Sequence, residues 1–116
     1  IMRKKNYKGR CEKRSLTKCR GICKTYDTIQ SRYADMLQSN EKVKEFQCNV
    51  SLDGLDIGDN TTDLVCTLEN GDLIVRECVV RSHLTKPMTA KLLDRSRNYW
   101  LNHGVSDWGL LIHAEK

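Results

Sequence analysis

Two acidic side chains sit where acids are rarely placed. Asp63 lies in Thr61-Thr62-Asp63-Leu64-Val65-Cys66, and Glu77 lies in Ile74-Val75-Arg76-Glu77-Cys78-Val79-Val80. Both runs are apolar and β-prone, and a carboxylate inside such a strand is costly unless it is paired or holds a cation. The link between the runs, Glu69-Asn70-Gly71-Asp72, is a hairpin turn, and its length decides what the acids do. A two-residue Asn70-Gly71 turn sends Asp63 and Glu77 to opposite faces. A three-residue loop, Glu69-Asn70-Gly71 with glycine left-handed, pairs Leu68 with Asp72 and sets Asp63 directly across from Glu77. The Asn-Gly sequence suits both turns. In the second register the Cβ atoms stand about 4.5–5.5 Å apart. Two anions that close repel, and a divalent cation removes the repulsion. Oxygen donors favour Mg²⁺ or Mn²⁺ over zinc, and a hard metal there polarises a phosphoryl oxygen and activates water for attack on phosphorus. The competing reading is plain ion pairing with Arg76, Arg81 or Lys86.

The elements that would carry these acids follow from pattern and punctuation. A helix is expected over Asp27–Gln38, with Asp27 as its cap and Gln30 three residues on, as in a capping box. Its apolar stripe is Ile29, Tyr33, Met36 and Leu37. Strands are expected over Val43–Leu52, Thr61–Leu68 and Leu73–Arg81. A long helix is expected over Thr85–His103, with Pro87 in its first turn and Gly104 just past its end. Met88, Leu92, Ser96, Tyr99 and Trp100 mark its inner face. A last strand, Asp107–His113, is reached through that helix and can lie parallel to its neighbour by a right-handed crossover. The fold class is therefore α/β, a mixed sheet flanked by helices. Residues 11–24 offer at most a short helix, interrupted by Gly21.

Charge is uneven. Residues 1–24 hold ten Lys or Arg against one acid, Glu12, whereas the whole 116-residue chain is only +5. The body is thus mildly acidic and the positive charge is local, which divides the chain into a basic arm, 1–24, and an α/β domain, 25–116. Such an arm meets phosphate most naturally, because each neutralised phosphate releases a condensed counterion; the competing reading is a solvated tail. Arg3, Lys4, Lys5, Lys8, Arg10, Lys13 and Arg14 are its expected DNA contacts. Tyr7 is the only aromatic among these charges, so no base-stacking platform is indicated.

The six cysteines read as reduced thiols. Cys48, Cys66 and Cys78 fall in apolar runs, where cysteine acts as a small hydrophobe. Cys19-x3-Cys23 fits a ligand pair loosely, but its only upstream neighbour is Cys11 and no CxxC or HxxxH follows, which weighs against a zinc knuckle. The basic, polar N-terminus has no apolar core of a secretory signal, and no run of eighteen apolar residues exists to span a membrane. A cytoplasmic location is expected. Patterns for a hydrolase triad (GxSxG), a P-loop or a zincin (HExxH) are missing. His83, His103 and His113 fall near element ends and read more simply as end groups or surface, and Trp100 and Trp108 as core or docking surface.

An acid on strand two and an acid on strand three of an αβββαβ layout resemble the PD-(D/E)xK, restriction-endonuclease-like core. More closely, residues 27–115 are similar to the N-terminal catalytic domain of TnsA-type endonuclease subunits of heteromeric transposases. Gln30-Ser31-Arg32-Tyr33-Ala34-Asp35-Met36-Leu37, Val43-Lys44-Glu45-Phe46-Gln47-Cys48-Asn49-Val50, Thr61-Thr62-Asp63-Leu64-Val65, Leu73-Ile74-Val75-Arg76-Glu77-Cys78 and Thr85-Lys86-Pro87 carry the likeness. The resemblance implies a bacterial, nucleoid-associated, Mg²⁺- or Mn²⁺-dependent endonuclease that cuts double-stranded DNA at transposon ends beside a separate transposase subunit, with a homodimer as its expected self-assembly. It implies metal ligation by Asp63 and Glu77 and places Gln30 at the position of the family's helix glutamate. The motif lysine, two residues after the strand-three acid, is Val79 here, and Lys86 is the nearest replacement, with Arg81 and Lys91 close by. The alternatives are a catalytically inactive DNA-binding or assembly module on the same fold, or another nuclease sharing the core.

Overall fold

The computed structural model describes residues 2–3, 12–52 and 60–113. Strand β1 is Met2–Arg3, β2 Glu12–Arg14 and β3 Cys23–Thr25; helix α1 is Thr28–Ser39. Strands β4 Val43–Ser51, β5 Asn60–Leu68 and β6 Leu73–Val80 follow, then a 3₁₀ turn at Arg81–His83, helix α2 Pro87–Asn102 and strand β7 Asp107–His113. Strands β4, β5 and β6 are antiparallel neighbours, and β7 lies parallel to β6. Chain return through α2 is what makes that last pairing parallel. The molecule is an α/β fold with a mixed sheet between two helices.

Local chemistry sets the element ends. Asp27 Oδ1 accepts the Gln30 N–H at 2.8 Å, capping α1. Pro87 opens α2, where its missing N–H costs nothing, and Gly104 at φ +83° follows its C-terminal cap. The hairpin between β5 and β6 is the three-residue form. Leu68 N donates to Asp72 O and Gly71 N to Leu68 O, both at 2.9 Å, and Gly71 sits at φ +93°.

Two cores form. On the α1 side, Ala34 and Leu37 pack with Phe46, Leu64 and Cys66. On the α2 side, Trp100 packs with Val65, Val75, Val105 and Leu52. Each helix stripe is rotated from the expected one. In α1 the buried residues are Gln30, Ala34 and Leu37, and Met36 is exposed. The amide of Gln30 finds partners inside, so that position turns inward. In α2, Leu93, Ser96 and Trp100 are buried and Met88 is exposed.

The largest departure from expectation is residues 12–25. They form no helix. They make a hairpin, with Glu12 opposite Thr25 and Arg14 opposite Cys23. It is docked on the domain, not extended as an arm: Cys19 and Cys23 join the α1-side core, and Cys19 bridges Phe46 at the edge of β4. The domain boundary at residue 24 therefore falls inside a packed element. Among the described residues, no helix is long and apolar enough to cross a membrane.

Candidate functional site

The ladder between β5 and β6 runs from Thr67↔Leu73 to Leu64↔Arg76. Counting on by one residue sets Asp63 opposite Glu77. There the ladder ends, although both strands continue. Thr61 pairs with Ser51 of β4 on one edge and with Met2 of β1 on the other, so β1 occupies the edge of β5 that β6 leaves.

At the parting point the two carboxylates replace backbone partners crosswise. Glu77 Oε1 accepts the Asp63 N–H at 2.9 Å, and Asp63 Oδ2 accepts the Cys78 N–H at 2.7 Å. Charge-assisted bonds of this kind are among the strongest a backbone amide makes. The opposite edge of Asp63 is also altered. Ladder pairs stand at Cys48↔Leu64 and Val50↔Thr62, but Asn49 between them is left-handed, at φ +57°. Asparagine tolerates that conformation better than most residues. Phe46 and Cys48 pack toward α1, whereas Val50 and Leu52 join the α2-side core, so β4 changes face at Asn49.

Gln30 clamps the arrangement from α1. Its Nε2 donates to Asp63 O at 3.0 Å and to Asn49 Oδ1 at 3.1 Å, while its Oε1 accepts the Tyr26 N–H at 2.9 Å. Three hydrogen bonds engage both ends of the amide, and the residue is buried. Gln30 thus combines a displaced capping box, reaching Tyr26 and not Asp27, with a strut under Asp63. Truncation strands buried partners, so Gln30→Ala is expected to lower unfolding free energy by about 2 kcal/mol, read from urea denaturation.

The other wall is α2 and β7. Ser96 Oγ donates to Glu77 Oε2 at 2.5 Å, and Trp108 Nε1 donates to Ser96 Oγ at 3.1 Å. Trp100 Nε1 donates to Thr62 Oγ1 at 2.8 Å. Both indoles are therefore hydrogen-bonded supports of the site. Asp63 is 2% exposed and Glu77 is fully buried. Burial first, then the nearby charge of Asp63, pushes the Glu77 carboxyl up to about 7.

Arg76 and Lys86, two of the cations proposed as simple partners, lie elsewhere. Arg76 pairs with Asp107 at 2.9 Å. Lys86 is exposed at the start of α2. Ser96, which marks the level of Glu77, is ten residues further along the helix, roughly 15 Å of axis. The structure does not bring Lys86 to the carboxylates, and Val79, in the motif-lysine position, is buried. Ser96, Trp108 and Cys78, which do touch the pair or its support, carried no motif. Only the position of Ser96 on the inner face of α2 pointed to it.

The basic segment divides. Lys4, Lys5, Lys8 and Arg10 lie outside the described residues, as do Cys11 and the side chain of Arg3. Lys13 is exposed. Arg14 is not available to DNA: it pairs with Asp35 and Glu12 and donates to Ser31 O at 3.2 Å, holding the hairpin on α1. Lys18 and Arg20 are likewise engaged, with Asn40 O at 2.6 Å and Glu45 at 3.0 Å. His103 caps α2 and stacks on Tyr99 at 4.2 Å between ring centroids.

Cysteine placement also differs from expectation. Cys19, Cys23 and Cys48 converge, with all three sulfurs within 4.8 Å of one another. The third thiol comes from β4, a strand distant in sequence from the Cys19-x3-Cys23 pair. Burial raises the thiols of Cys19, to about 11, and of Cys48. No protein family matches this chain, and no curated protein does.

Proposed function

We propose that the chain is a metal-dependent DNA endonuclease domain in which Asp63 and Glu77 hold Mg²⁺ or Mn²⁺ on a restriction-endonuclease-like αβββαβ core. One observation carries the reading: the hairpin register brings two buried carboxylates face to face where β5 and β6 separate. The donor set fits a hard cation. All the side-chain donors are oxygens, and a carboxylate oxygen that accepts one N–H retains a second lone pair. An acid raised to about 7 and beside another acid gains its charge when a cation neutralises the pair. Bound there, Mg²⁺ supplies Lewis-acid polarisation of a phosphoryl oxygen. The chain's own groups fix the geometry. Cys78 N–H orients Asp63, Ser96 and the Asp63 N–H orient Glu77, and Gln30 holds the Asp63 peptide.

Purified protein is expected to nick supercoiled plasmid with Mg²⁺ or Mn²⁺ and to stop on chelation. Absence of nicking by protein that still binds DNA overturns the reading. The same core as a non-catalytic DNA-binding or assembly module is the second reading, favoured by buried Val79 and distant Lys86. Action at transposon ends beside a transposase subunit rests on the family resemblance alone.

The basic residues ahead of the hairpin are the proposed grip on flanking phosphates. Replacing Lys4, Lys5 and Lys8 with Gln should flatten the log affinity against log salt plot by about 2–3, at about 0.9 per lost contact. An unchanged slope in a binding titration removes these lysines from the interface.

A further inference from the structure

We propose that Cys19, Cys23 and Cys48 form a second metal centre, a three-thiolate Zn²⁺ site that staples the 12–25 hairpin to β4. It shares no ligand with the carboxylate pair and differs from it in donor chemistry.

The chain is folded so that these sulfurs must meet. Gly21, at φ +75° between Cys19 and Cys23, turns the segment sharply enough to aim both thiols the same way. The turn is then pinned to β4 by two backbone bonds, Arg20 N to Phe46 O and Phe46 N to Lys18 O, each 2.9 Å. Cys48 is two residues from Phe46, hence on the same face of the strand. Cys23 and Cys48 sulfurs stand 3.6 Å apart. Tetrahedral zinc with Zn–S bonds of about 2.3 Å requires sulfurs about 3.8 Å apart. The third sulfur, of Cys19, lies within 4.8 Å of both, so all three converge on one point, and Cys66, buried in the same core, stands outside the group.

Thiolate donors select a soft or borderline ion and reject Mg²⁺. Three thiolates around Zn²⁺ leave one net negative charge, whereas around a monovalent ion they leave two. The smaller charge is easier to hold in this largely buried place. Lys13, Lys18 and Lys24 on the same hairpin offset it further. Zinc takes a fourth donor from solvent or a small ligand, and binding releases the thiol protons.

Full-length protein, reduced and stripped with chelator, is titrated with Co²⁺ as the probe. The expected result is a near-ultraviolet thiolate-to-cobalt band that saturates at one equivalent and is lost when Zn²⁺ is added. The band persists unchanged in excess Mg²⁺. Cys23→Ser and Cys48→Ser each lose saturation at one equivalent, while Cys66→Ala retains it. Asp63→Asn also retains it, which separates this centre from the proposed nuclease site. If wild-type protein gives no thiolate band, or Cys66→Ala loses it as fully as Cys48→Ser, the proposal fails. It fails equally if the sulfurs of Cys23 and Cys48 are found as a disulfide whose reduction restores no metal uptake.

Discussion

Asp63→Asn is expected to lower Mg²⁺-dependent plasmid nicking by at least about a hundredfold while DNA binding is retained. The substitution keeps an oxygen able to accept the Cys78 N–H, so the crosswise bond at 2.7 Å need not break. What disappears is the negative charge, and with it half of the oxygen-donor pair. Removing one preorganised electrostatic group from an active site commonly costs two to three orders of magnitude. Nicking rates measured over a Mg²⁺ series separate the two ways of losing activity. Weakened metal affinity is partly recovered at high Mg²⁺, and lost positioning is not. Undiminished cleavage by Asp63→Asn would show that the chemistry lies elsewhere.

Glu77→Gln is expected to inactivate the protein and, above neutral pH without metal, to stabilise it. The two effects have one cause. Folding raises the Glu77 carboxyl from 4.5 to about 7. Below about pH 4.5 the folded and unfolded chains both hold the proton, and the shift has no effect on stability. As pH rises from there to about 7, the unfolded chain releases the proton while the folded one keeps it, so stability falls. Above about pH 7 the loss is complete, on the order of 3 kcal/mol from the shift, or about 10 °C in melting temperature. Glutamine mimics the protonated acid and can still meet the Asp63 N–H and Ser96 Oγ, so its melting temperature should lack this decline. Melting curves of both proteins from pH 5 to 8, with and without Mg²⁺, test it. Mg²⁺ should restore the wild type at high pH and leave Glu77→Gln unaffected. Parallel melting profiles for the two proteins would mean that Glu77 is ionised without strain.

Much of the sheet was legible because its signals are local. Leu73-Ile74-Val75 reads as a buried strand, Asn70-Gly71 as a turn, and Pro87 and Gly104 as helix ends. Turn length was not legible, since Asn-Gly satisfies two loops. The choice shows only in the pairing of Leu68 with Asp72, the bond that closes the three-residue loop. Gln30 and Ser96 stood out weakly, because a neutral polar residue on a helix carries no sign of burial until its partners are known. Hairpin 12–25 was hidden by its charges: Arg14, Lys18 and Arg20 look like a solvated arm until Asp35, Asn40 and Glu45 are brought to meet them. Cys48 was obscured for a similar reason. It sat in a plausible strand, and only the docking of the Cys19–Cys23 turn on β4 gives its sulfur company.

That docking has a consequence for how copies of the protein behave together. Among the described strands β4 forms a ladder with β5 alone, and an open strand flank is a template for adhesion between molecules. Here the backbone of Phe46 is already taken by Lys18 and Arg20, which interrupts the row of open amides and carbonyls midway along the flank. Loosening the Lys18–Arg20 turn would uncover a sticky ribbon without unfolding the domain, so self-association in light scattering should rise before circular dichroism reports any loss of helix.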